Sequence, residues 1–103
     1  MPDTAHETHH LQMINRAAAA GYGPALSYLA DLSLIEENDP KKACRLFEAA
    51  AAAGDAYANK ILGYYSKYGR LGLTQDKLKA HAYYAKARQL YHEERKLKKI
   101  QRR

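Results

Sequence analysis

The most specific chemical pattern in the chain lies near its start. His6-Glu7-Thr8-His9-His10 satisfies H-E-x-x-H, which on a helix turns two imidazoles toward one zinc ion and offers the glutamate as a general base for bound water. A metal hydrolase also needs a third ligand and walls that exclude water. A pattern confined to the first ten residues lies where helix ends fray. A zinc-dependent hydrolase is therefore the remote alternative. The expectation is no enzyme and no cofactor, with His6, His9 and His10 as adventitious metal ligands only. Gly69-Arg70-Leu71-Gly72 has the spacing of the clamp with which KH domains hold a nucleic-acid backbone, but no strands flank it here. The single Cys44 reads as a small apolar residue of a helix. No Ser–His–Asp or Cys–His constellation and no phosphate loop stands elsewhere.

Tyrosine is the other chemical signal. There are nine, against one Phe and no Trp. A tyrosine joins a large apolar body to one polar tip and so suits surfaces that meet a partner. Tyr57, Tyr64 and Tyr68 are the candidate partner-binding residues. Tyr65, Tyr83 and Tyr84 read as core filler. Positive charge gathers elsewhere. Residues 1–85 hold nine Lys/Arg and nine Asp/Glu, while 86–103 hold eight basic residues against Glu93 and Glu94. The net charge of +6 is thus a property of the C-terminal end. Arg95, Lys98, Lys99 and Arg102 are the candidates there for docking an acidic patch on a protein partner. Phosphate-backbone contact is the alternative, disfavoured because no aromatic residue follows Tyr91 and the basic residues surround the helix.

These residues need elements to hold them. With 19 Ala, 12 Leu and no Val, strand formers are nearly absent and an all-α chain follows. Gly21 and Gly54 end Ala-rich runs as left-handed C-terminal residues. Gly23-Pro24 and Asp39-Pro40 restart the chain, and Thr74 or Asp76 caps the last segment. The spacing predicts five helices at about 6–20, 24–36, 40–53, 55–67 and 76–100, packed antiparallel across short turns. Tyr83, Leu90 and Leu97 lie seven apart, a narrow seam through which the last helix could pair with a second copy. Met1–His10 has no signal-peptide character, and no run is apolar enough for a bilayer. A cytoplasmic protein without membrane contact is expected.

The chain also repeats itself. Ala20-Gly21, Ala25, Leu29 and Ala30 return after 33 residues as Ala53-Gly54, Ala58, Leu62 and Gly63. Asp39, Lys42-Ala43, Leu46-Phe47 and Ala50 return after 37 as Asp76, Lys79-Ala80, Tyr83-Tyr84 and Ala87. The extra four residues fall in the Gly69–Gly72 loop, where insertion costs little. The order Ala58…Leu62-Gly63…Gly69…Gly72-Leu73-Thr74-Gln75-Asp76…Lys79-Ala80…Tyr83-Tyr84…Lys86-Ala87 resembles the Sel-one-like repeat, a tetratricopeptide-type αα-repeat. The likeness covers about residues 13–92. It is closer in the second unit than in the first, whose Ile35–Asn38 loop lacks glycine. The resemblance implies a short αα-hairpin solenoid of about two repeats plus a half, ending in a long basic helix. It also implies an adaptor or scaffold that binds a protein. The expected organisation is a flexible 1–8, a repeat domain over 9–92 and a basic helical extension over 93–103.

Overall fold

The computed structural model describes residues 4–101, with side chains from Thr8 onward. Five helices follow in order: α1 Thr4–Ala19, α2 Gly23–Ile35, α3 Pro40–Ala52, α4 Ala56–Tyr68 and α5 Lys77–Gln101. They match the five segments expected from spacing to within about two residues at each end. Among the described residues no strand occurs, and no helix is long and apolar enough to cross a membrane.

The helix ends are set by local chemistry. Asp39, Asp55 and Asp76 each accept a hydrogen bond from the backbone N–H three residues on, at Lys42, Ala58 and Lys79 (3.1, 3.0 and 3.0 Å). Each satisfies one amide that would otherwise be orphaned at a helix start. Gly21 and Gly54 sit at φ +85° and +86°, the left-handed region where a Cβ is penalised. Both turns close with the same bonds: Gly21 N–H to Ala18 C=O, and Gly54 N–H to Ala51 C=O.

The helices form two hairpins, α2/α3 and α4/α5. α1 packs on α2, α3 on α4, and α2 touches α4. No other pair of described helices brings its backbones close together. One layer therefore holds α2 and α4, the other α1, α3 and α5. The smallest extent, 24 Å, is two helix diameters. The fold is all-α, a short αα-hairpin stack with a long last helix.

The core lies where the hairpins meet. Ala30, Ala43, Phe47, Ala50, Ala58 and Leu62 are fully buried together, with Leu26, Leu34, Leu71, Leu73 and Tyr83 packed around them. Small residues let the backbones approach. A Cβ on Gly63 would lie 3.0 Å from the ring of Tyr84, so that glycine admits the tyrosine of its own hairpin.

One backbone feature recurs at the two corresponding positions of the sequence. Ser33 and Ser66, 33 residues apart, are both buried. Each accepts at its carbonyl the N–H of the following capping aspartate, Asp39 or Asp76, at 2.8 Å. The two loops differ by four residues, yet they return the chain to one position. The first does so without glycine, because Asn38 takes the left-handed conformation (φ +52°), which Asn tolerates better than most residues.

Candidate functional site

Tyr57, Tyr64 and Tyr68 fall at i, i+7 and i+11 on α4, within about 40° of one another at 3.6 residues per turn. They form a stripe on one face, and all three are exposed. Tyr64 is the centre of a cluster. Its ring lies 5.0 Å from that of Tyr68 and 5.5 Å from that of Tyr65, in the tilted and edge-on geometries favoured by ring quadrupoles. The Lys67 ammonium stands 5.3 Å from the centre of the Tyr68 ring, within cation–π range.

Tyr57 is placed differently. Its ring approaches the buried Phe47 at 6.3 Å, and its hydroxyl donates to both carboxylate oxygens of Asp31 at 3.2 Å. Burial, then the charge and hydrogen bond of Asp31, push its hydroxyl up to about 12. Asp31 itself is raised above 3.8 by burial, partly offset by that hydrogen bond. Tyr57 thus joins α4 to α2 and is the least exposed of the three, at 38%, while Tyr64 and Tyr68 have no such tether. Asp31, the only charged residue of α2, was not among the sequence candidates. That isolation on an apolar helix was the signal available.

A second link fixes the same pair of helices. The Ser27 hydroxyl donates to the Asp55 carboxylate, which also caps α4. At this point α2 and α4 come so close that a Cβ on Gly23 would lie 3.0 Å from that of Asp55. The residues expected as filler behave so: Tyr65, Tyr83 and Tyr84 are half-buried.

The basic candidates lie elsewhere. α5 runs antiparallel to α4: Asp76 bonds Ser66, Tyr84 meets Gly63, and Tyr91 is close enough to Tyr57 to raise its hydroxyl. The helix therefore leaves the body near Tyr91 and continues about 15 Å to Gln101. Arg95, Lys98 and Lys99 are exposed on this overhang, at the α4 end opposite Tyr64 and Tyr68. Arg102 lies outside the described residues. On the overhang Leu97 and Ile100 are exposed; just before it Leu90 is half-buried, and Tyr83, the first member of the predicted seam, packs against the core.

His9 and His10 are exposed, and His10 meets the Tyr28 ring edge-on at 6.3 Å. The side chains of His6 and Glu7 lie outside the described residues. Among the described residues no group of three His, Cys, Asp or Glu is placed to hold a metal. Cys44 is buried, and its thiol donates to Glu48 at 3.1 Å. Burial first, then Glu48, pushes the thiol up to about 11.

Two grooves flank α1. One of about 850 Å³ runs between α1 and α3 over Leu29 and Leu32, edged by the Glu37–Lys42 ion pair. The other, about 430 Å³, is lined almost wholly by apolar residues of α1 and α2. No family model, curated protein or solved structure matches this chain.

Proposed function

We propose that the chain is a Sel-one-like adaptor that binds a protein partner and performs no chemistry. The observation that carries this reading is the exposed tyrosine cluster on a helix locked to its neighbour. Tyr64 and Tyr68 are presented by α4, and two side-chain links, Tyr57–Asp31 and Ser27–Asp55, fix α4 against α2. A surface held this way loses little entropy on binding, and aromatic anchors dominate such interfaces.

The basic overhang extends the same reading. From Tyr68 along α4 to Tyr57, and on along α5 to Lys98, is about 27 Å at 1.5 Å per residue. An extended partner segment of about eight residues spans it. Its apolar end would lie on Tyr64 and Tyr68. Its acidic end would meet Arg95, Lys98, Lys99 and Arg102, which steer and orient it.

The test uses a partner captured by the full chain, then purified and titrated calorimetrically. Tyr64→Ala/Tyr68→Ala should weaken binding at least about tenfold. Arg95→Glu/Lys98→Glu should weaken it most at low salt. A folded tyrosine double variant with full affinity would refute the reading. A second reading, nucleic-acid association through the basic overhang, is favoured by the absence of any ion pair to Arg95, Lys98 or Lys99 among the described residues. It predicts affinity for a plain duplex that falls steeply with salt and disappears when the chain stops at Tyr91.

A further inference from the structure

Asp31 carries a charge that the fold itself does not complete. It is half-buried and is the only charged residue of α2. The Tyr57 hydroxyl donates to both of its carboxylate oxygens at 3.2 Å, one shared proton against about four acceptor sites. Burial raises Asp31 above 3.8, and no cation of the described residues offsets that desolvation. A partly desolvated charge held by one neutral donor works against folding, and a counter-charge from outside the chain would relieve it. The surroundings select the kind of cation. Burial and then the charge of Asp31 raise the hydroxyls of both Tyr57 and Tyr65, so both side chains stand beside the carboxylate. Tyr64 meets Tyr65 edge-on at 5.5 Å. Tyrosine ring faces attract cations, as the Lys67 ammonium does 5.3 Å from the Tyr68 ring centre. Arg70 acts on Tyr65 but is not among the groups that act on Asp31. Ile35 lies one turn beyond Asp31 on the same face of α2 and is 77% exposed, an apolar rest for the methylene stem of a long basic side chain.

We infer that Asp31, Tyr57 and Tyr65 form a receptor for one arginine side chain of the protein partner. A planar guanidinium gives a carboxylate two parallel N–H bonds and lays its flat face on a tyrosine ring. A lysine ammonium has neither the fork nor the flat face and sheds its water less readily. The assignment rests on the adaptor reading for its partner and adds one residue to the segment that partner must present. Tyr57 precedes Tyr68 by 11 residues, about 16 Å along α4, which an extended segment covers in about five residues. The remaining distance to Lys98 takes about three more. The partner segment therefore carries its arginine about five residues from the apolar side chain on Tyr64 and Tyr68, and about three from its acidic end.

The probe is N-acetyl-arginine methylamide, titrated into the isotope-labelled full chain. It should give saturable NMR shifts at Asp31, Tyr57 and Tyr65. The citrulline analogue has the same shape without the charge and should give none, and the lysine analogue should bind at least about threefold more weakly. Asp31→Asn keeps an acceptor for Tyr57 and should remove the saturable shifts. Glu36→Gln, at an exposed acid elsewhere on the chain, should leave them unchanged. Shifts with arginine that never saturate, equal binding of citrulline, or shifts that persist in folded Asp31→Asn would overturn the assignment. The comparison of arginine with citrulline is made on the parent chain and decides the matter even where Asp31→Asn loses helix content. Loss of the captured partner in Tyr64→Ala/Tyr68→Ala, together with no saturable arginine shift, strikes the arginine receptor alone. Saturable arginine binding alongside full partner affinity in that double variant supports the receptor and strikes only the tyrosine anchor.

Discussion

Replacing Asp55 with alanine should cost more than replacing either of the other two capping aspartates. All three make the same bond to the N–H three residues on, worth about 1 kcal/mol. Only Asp55 also accepts the hydroxyl of Ser27 on another helix. Ser27 is 4% exposed, so Asp55→Ala leaves a buried hydroxyl without this partner. A hydrogen bond to a charged acceptor contributes about 1.5–3 kcal/mol. The expected loss is thus about 3 kcal/mol for Asp55→Ala, against about 1 kcal/mol for Asp39→Ala or Asp76→Ala. In a domain of this size that separates the variants by roughly 10 °C in Tm. Asp55→Asn retains both acceptor roles and should stay within about 1 kcal/mol of the parent. Urea unfolding followed by far-UV circular dichroism measures all four variants. Equal losses for Asp55→Ala and Asp39→Ala would refute the reasoning, because the link between α2 and α4 would then carry no energy.

Two titration predictions follow. A Cys44 thiol at about 11 rather than 9.0 holds about a hundredfold less thiolate at pH 8. A more basic thiolate is also the better nucleophile, so its reaction with a disulfide reagent should be slower than that of the unfolded chain by at least about tenfold. A rate equal to the unfolded one would place the thiol in water. Asp31 is raised above 3.8, so the folded state binds its proton more tightly than the unfolded state. Its contribution is fully present below 3.8 and is lost as pH rises through the folded value. Asp31→Asn keeps an acceptor for Tyr57 and should stabilise the protein at pH 7, with the gain shrinking as pH falls toward 3.8. Thermal melts across that range test this, and a gain independent of pH would contradict it.

What the residues disclosed unaided was mostly local. Gly21, Gly54, Asp39 and Asp76 act within a turn of their own position, so their roles could be read from type and spacing. The duplication at 33 and 37 residues revealed the hairpins for the same reason. Asn38 and Leu71 were harder. Each adopts positive φ without being glycine, and Leu71 is a side chain packed against the core, a tertiary effect that overrides local preference. Tyr57–Asp31 and Ser27–Asp55 span 26 and 28 residues and become visible only once α2 and α4 are known to touch. The separation of Tyr64 and Tyr68 from the basic overhang likewise depends on where α5 outruns α4.

The common return of Asp39 and Asp76 to a serine carbonyl has a consequence for how such a chain can vary. Both connectors are anchored at the same two points, so the length between them is free of the register of the stack. Gly72 is exposed, with open space where a side chain would stand, while Leu71 and Leu73 on either side hold the loop to the core. New segments can be spliced at that tip, and the helices beneath would keep their alignment.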